Sequence, residues 1–158
     1  MPPITALLHT HNDALRLGRC LETLYPCDHI LVVDHGSHDG TAQLAREYSA
    51  RVVAAAAGAS PPDYLRSTAP GWILCLDPRE SLSESLAASL YEWKLMKAPL
   101  PPAFSVFLRE ETAEGWLEIP APQTRLVPSS WEKWDKTLPV HRSSALTLDG
   151  PLLRFAFP

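Results

Sequence analysis

The sequence predicts an α/β fold, with a mostly parallel central sheet, helices on both faces and a smaller α+β extension toward the C-terminus. Three observations carry that prediction. Short apolar runs alternate with amphipathic segments through the first 97 residues. Those runs are apolar almost throughout, as strands covered on both faces are. Polar clusters follow them at 9–13, 34–39 and 77–80, where an open parallel sheet places its ligands, outside the carboxyl ends of its strands.

Ile4 to Leu8 reads as the first strand. Leu17, Cys20, Leu21 and Leu24 then recur at helical spacing, with Asn12 or Asp13 as the N-cap and Pro26 as the stop. His29-Ile30-Leu31-Val32-Val33-Asp34, rich in β-branched residues, is the second strand, and it runs into the turn-forming cluster Gly36 to Gly40. Thr41, Leu44, Ala45 and Tyr48 mark a second helix, and Arg51 to Val53 a third strand. Gly58 to Pro62 reads as a loop and Gly71 to Asp77 as a fourth buried strand. Ser81 and Glu84 have the spacing of a capping box, predicting a helix to about Lys97 with Leu86, Leu90 and Trp93 facing inward. Beyond Pro99 to Pro102 the pieces shorten. Residues 103–108, 116–119, 124–127 and 152–157 read as strands. Pro120, Pro122, Pro128 and Pro139 confine them to edges or short lengths.

With 158 residues, 46% hydrophobic and 20% charged, the chain holds enough apolar material for one buried core. A net charge of -4 argues against a broad nucleic-acid footprint, while leaving room for a local basic pocket. Three cysteines without CxxC spacing suit neither a disulfide framework nor a thiolate metal site, and a reduced, cytoplasmic setting follows. Cys75, inside an apolar run, reads as a small buried hydrophobe. The start Met1-Pro2-Pro3-Ile4 lacks the features of a signal peptide, and no apolar run approaches the roughly 20 residues that span a bilayer.

At the strand ends, Asp34 suits hydrogen bonding to ribose hydroxyls or a base. The Gly36 to Gly40 turn precedes a helix and suits an anion. Each signal alone is weak, because Asp and Gly are ordinary turn residues. Together they resemble a known pattern. Thr5 to Asp13, followed by Cys20 to Leu24, resembles the opening strand and helix of inverting family-2 glycosyltransferases. Ile30 to Thr41 is similar to their second strand and its Asp-x-Gly-Ser-x-Asp-Gly-Thr turn, and Trp72 to Asp77 resembles the strand entering their Asp-x-Asp motif. The flavour is that of the bacterial lipopolysaccharide-core glucosyltransferases, with weaker counterparts at 124–127, 140–141 and 148–153.

The resemblance implies a single GT-A, Rossmann-like domain over 1–158, with a nucleotide-sugar-binding half to residue 97 and an acceptor-side half from 98. It implies transfer of a sugar from a nucleotide diphosphate sugar, such as a UDP-sugar, to an acceptor hydroxyl in lipopolysaccharide or other cell-envelope glycan synthesis. The setting would be cytoplasmic, compatible with peripheral attachment to the inner face of the membrane. By position, Asp34 would contact the uridine part, Asp39 would shape the same pocket, and Asp77 would be the first motif carboxylate. Thr10, Asn12, Gly36, Ser37, Arg66 and Arg79 complete the implied donor site. A Mg²⁺ or Mn²⁺ ion would be held by Asp77 and Glu80.

Three departures oppose parts of this. Asp77-Pro78-Arg79-Glu80 stands where the family has Asp-Ala-Asp-Glu. A guanidinium supplies no oxygen ligand, and like unit charges about 4 Å apart repel by roughly 4 kcal/mol at a surface-like dielectric. Either Arg79 grips the diphosphate in place of the metal, or it faces solvent and the site is dead, leaving a non-catalytic relative that binds a nucleotide or a partner. Asp63 to Arg66 replaces a basic residue followed by Asn, and His141-Arg142 replaces His-Glu. The catalytic base therefore stays open among Glu118, Asp135 and His141. Four histidines, His9, His11, His35 and His38, fall on the first two strand-end loops. They admit a transition-metal site with Asp34 or Asp39, or simply solvated loop histidines. Trp116, Trp131 and Trp134 are candidates to stack on an acceptor sugar, or core and surface anchors.

Overall fold

The computed structural model describes residues 2–97 and 100–158; Pro99 and the division at 97/98 touch or fall outside the described residues. The first half follows the expected alternation: β1 (Ile4–Thr10), α1 (Ala14–Glu22), β2 (His29–Asp34), α2 (Thr41–Glu47), β3 (Arg51–Ala54), α3 (Pro61–Leu65) and β4 (Trp72–Leu76). Then come β5 (Glu80–Leu82), α4 (Glu84–Trp93), β6 (Phe104–Val106), β7 (Leu108–Thr112), β8 (Gly115–Glu118) and β9 (Gln123–Pro128). The short strands β10 (Trp134–Asp135), β11 (Leu138–Pro139), β12 (Leu146–Thr147) and β13 (Leu152–Arg154) follow.

The main sheet has the order β12-β6-β9-β4-β1-β2-β3. Only β9 runs against the rest, pairing antiparallel with both β4 and β6. The chain leaves β1 toward β2 and β3, then returns to β4 on the other side of β1. Strand order therefore reverses at β1, and a crevice opens beyond its carboxyl end. A second sheet, β5-β13-β7-β8, carries the extension.

Alternation along β1 splits the core. Ile4, Ala6 and Leu8 face one layer, with Leu17 and Leu21 of α1, Ala45 of α2, and Leu86, Leu90 and Trp93 of α4. Leu7 faces the other, with Val33, Ile73, Val127 and Leu65 of α3, against which Trp131, Trp134 and Leu138 pack. Helices thus cover both faces, but the second is covered mainly by a loop and the β10–β11 ribbon, because α3 is only five residues long.

Several local readings change. The expected loop at Gly58 to Pro62 runs into α3, which starts on a reciprocal Ser60–Asp63 capping box with proline in its first turn. Ser81 does not open α4; it lies in β5, and Ser83 is the N-cap, accepting from the Leu86 N–H at 3.1 Å. That helix ends at Trp93, short of Lys97. β9 is central despite its proline, which is tolerated because Pro128 occupies the last position. Cys20 and Cys75 are buried and all three cysteines are free; burial pushes the Cys75 thiol up to about 12. No helix among the described residues is long and apolar enough to cross a membrane.

Candidate functional site

The loops after β1 and β2 are stitched together by side chains. The Thr10 hydroxyl donates to Asp34 Oδ1 at 2.7 Å, and Ser37 donates to the same carboxylate through its N–H at 3.0 Å and its hydroxyl at 2.6 Å. The Asn12 N–H donates to Ser37 Oγ at 2.9 Å, and Asn12 Oδ1 accepts from the His38 N–H at 2.8 Å. This exchange holds Asn12 at φ +52°, a left-handed conformation that Asn tolerates better than most residues. Gly36 turns the other loop at φ +72°. Burial opposes ionisation of Asp34, but the bonds from Ser37 and Thr10 outweigh it and hold the carboxyl below its ordinary range.

Asp39 has a structural task that the motif alone does not reveal. It accepts from the Thr41 N–H and hydroxyl at the start of α2, and from the Ala14 N–H at the start of α1. Asp13 occupies the N-cap position of α1 but makes no side-chain cap bond there. Its carboxylate instead accepts from the His11 N–H at 2.8 Å. One aspartate therefore satisfies exposed N–H groups of two helices.

Beyond the ends of β1, β2 and β4 lies a cavity of about 430 Å³. His9, Thr10, His35, Asp77, Arg79 and Arg16 are among the residues lining it. Of the residues predicted for the donor site, Thr10, Asp77 and Arg79 reach its wall, with Asp34 bonded directly behind Thr10. Arg66 does not join them. It pairs with Asp63 at 3.0 Å and lines a separate cleft with Trp131 and Glu132. A roomier hollow of about 690 Å³ opens at the opposite strand ends, but its acidic groups are already engaged, Glu22 by Tyr48 and Asp28 by Lys94.

The expected pairing of Asp77 with Glu80 as metal ligands is not what the structure contains. Arg79 folds back onto Asp77, donating through Nε at 2.9 Å and Nη2 at 3.3 Å, with its own N–H adding 2.9 Å. Burial opposes ionisation of Asp77, and the Arg79 bonds overcome it, so its carboxyl lies below the ordinary range. Glu80 is fully buried: Arg125 holds both its oxygens, at 2.7 and 2.9 Å, and Arg154 adds a bond at 2.8 Å. Its Oε1 also accepts from the Asp77 N–H at 2.7 Å. Two carboxylates already neutralised by guanidinium groups do not fit a Mg²⁺ or Mn²⁺ ion. Among the described residues, no group of three or more His, Cys, Asp or Glu side chains could hold a metal ion, which includes the four loop histidines.

Those histidines bond to each other and to backbone. His9 Nδ1 lies 2.9 Å from His35 Nε2, and His11 Nδ1 lies 2.7 Å from the His35 carbonyl oxygen. Burial, then the neighbouring His35, lowers the pKa of His9 to about 4. Protonation therefore favours the unfolded chain, whose histidine has a pKa near 6.5. His9 contributes stability above about pH 6.5 that is lost as the pH falls toward 4. His9→Gln is expected to flatten the loss of denaturant midpoint between about pH 7 and pH 5. An unchanged slope in that variant would assign the acid sensitivity to other groups.

The base candidates separate in space. Glu118 is exposed on β8 of the second sheet and pairs with Arg109 at 2.7 Å. Asp135 and His141 line a hollow that shares Thr137 with the main cavity, and His141 Nδ1 lies 3.2 Å from Thr124 Oγ1. The indole N–H groups of Trp131 and Trp134 donate to the backbone carbonyls of Lys133 and Trp131, so both act as anchors. Trp116 meets Phe155 edge-on at 5.2 Å. The residue that sequence reasoning missed is Arg16. It sits in the first turn of α1 and points into the cavity, and its polar face is visible in the helical spacing.

No family model matches the chain. Over 46 residues it is 44% identical to the lipopolysaccharide core biosynthesis glycosyltransferase LpsC of Rhizobium meliloti (strain 1021), a match spanning 29% of this chain and 17% of that protein. The structure is similar to that of S. aureus TarS 1-349 at 17% identity and a TM-score of 0.55, covering 75% of this chain and 38% of that one. It is also similar to glucosyl-3-phosphoglycerate synthase from Mycobacterium tuberculosis, solved with Mn²⁺, UDP-glucose and phosphoglyceric acid. That match has 19% identity and a TM-score of 0.52, covering 68% of this chain and 44% of that one. The chain thus spans less than half the length of each of these proteins. Sheet order, strand-end crevice and these likenesses agree that the chain has the GT-A fold of glycosyltransferases.

Proposed function

We propose that the chain is a nucleotide-sugar-binding glycosyltransferase domain, with a UDP-sugar as donor and a cell-envelope glycan or lipid hydroxyl as acceptor. The observation that carries this reading is Asp34. It is an ionised carboxylate fixed by Thr10 and Ser37 at the end of β2, beside a crevice where strand order reverses. Such a group, part-buried and already oriented, is placed to accept from ribose or uracil donors. The short match to a lipopolysaccharide-core enzyme, and a structural neighbour solved with UDP-glucose, support the donor class. The cavity would hold the diphosphate and sugar, and the adjoining hollow with Asp135 and His141 would receive the acceptor. Deprotonation of the acceptor hydroxyl would then fall to Asp135 or His141, not Glu118.

Calorimetric titration with UDP and UDP-glucose tests the reading. Saturable binding is expected, weakened at least about tenfold in Asp34→Ala, equivalent to about 1.4 kcal/mol. Absence of binding by either ligand would remove the proposal.

A further inference from the structure

Resting on that reading, we infer that the diphosphate is held by two arginines, Arg16 and Arg79, in the place where a divalent cation would otherwise act. The two side chains line one cavity from different elements: Arg16 from the first turn of α1, Arg79 from the turn after β4. Arg79 uses Nε and Nη2 on Asp77 and leaves Nη1 unspent. Arg16 is freer still. Its Nε is buried without a hydrogen-bond partner, 3.5 Å from Asp13 Oδ1, a carboxylate already accepting from the His11 N–H. The side chain as a whole is 34% exposed at the cavity wall, where an incoming phosphate oxygen would meet its outer nitrogens. Guanidinium forks match phosphate geometry and supply charge without the loss of hydration that Mg²⁺ resists.

The paired aspartates take part in this arrangement. Asp13 and Asp77 each hold an arginine at the cavity wall, and neither is free for a metal. His9 and His35 also line the cavity, hydrogen-bonded to each other at 2.9 Å. Glu80, the other carboxylate of the motif, lies beneath, sealed by Arg125 and Arg154. Hydrogen-bond donors for an anion in this cavity are thus supplied by side chains of the chain itself.

The test compares UDP, uridine and inorganic pyrophosphate, each titrated in EDTA and in Mn²⁺, on the wild-type chain and on Arg16→Gln and Arg79→Gln. Wild-type UDP and pyrophosphate affinities are expected to agree within about twofold between EDTA and Mn²⁺. Each substitution is expected to weaken both ligands at least about tenfold and leave uridine unchanged. UDP binding that appears only with Mn²⁺, or equal affinities for UDP and uridine, would overturn the arginine clamp while leaving the nucleotide reading intact. Variants that bind pyrophosphate as the wild type does would overturn it too. Failure of UDP and uridine to bind, with pyrophosphate still bound and lost in both variants, would keep the clamp and sink the nucleotide reading. If either Gln variant fails to fold, Arg16→Lys and Arg79→Lys keep the charge but lose the guanidinium fork. They are expected to weaken UDP and pyrophosphate and spare uridine, and wild-type affinity in both would overturn the clamp.

Discussion

Replacing Arg125 with methionine is expected to lower the unfolding free energy by about 3–5 kcal/mol, the cost of stranding a buried charge. Arg125 and Glu80 are 1% and 0% exposed, and they meet through two near-parallel hydrogen bonds. Arg125 also donates to the Cys75 carbonyl at 3.0 Å, and Gln123 accepts from its Nη2 at 3.0 Å. Without the guanidinium, Glu80 keeps only Arg154 and the Asp77 N–H. Urea denaturation of the variant measures the loss. A change below about 1 kcal/mol would show that Arg154 alone compensates the carboxylate. Replacing both partners with apolar residues of similar shape should recover much of the stability, because the pair as a whole is worth far less than either half left alone.

Trp93→Ala is expected to cost about 3–5 kcal/mol, the range for truncating a large buried aromatic. Trp93, Trp72 and Phe104 meet edge-to-face, with centroids 5.2, 5.6 and 5.9 Å apart. They join α4 to the two strands flanking β9. Trp93→Phe should cost much less than half as much. It keeps a ring in the cluster and deletes an indole N–H that has no hydrogen-bond partner among the described residues. Equal losses in the two variants would mean that the indole nitrogen contributes more than its contacts indicate.

What could be read from the sequence was what depends on near neighbours. β2 matches its expected bounds because six residues of strand-forming character end at a carboxylate and a glycine turn. The obstacle at Arg79 was visible because charge and ligand chemistry belong to the residue itself. Ser81 was misread because Ser-x-x-Glu spacing is local, whereas β5 forms by pairing with β13 some 70 residues later. The same reason hid the centrality of β9, whose partners β4 and β6 come from distant segments. Glu80 looked like a surface ligand because Arg125 and Arg154 are adjacent to it only after folding. Asp39 was placed in the right loop, but its bond to Ala14 spans 25 residues and no turn pattern predicts it. The 34–41 motif pointed to the strand-end loops that the structure brings together, while the division of labour within them needed the tertiary structure.

The stitched loops after β1 and β2 have a consequence for the thermodynamics of ligand capture. Thr10 and Ser37 are fixed on Asp34, Asn12 on Ser37 and His38, and Asp39 on Ala14, through bonds between 2.6 and 3.2 Å. Under the proposed function, a nucleoside arriving there would meet a mould that is already set, and little backbone freedom would be forfeited on contact. The proposed arginine clamp would follow the opposite plan, from long side chains whose freedom is lost on binding. Recognition of the base and ribose should therefore resemble a key entering a lock, while the phosphate end closes like a hand.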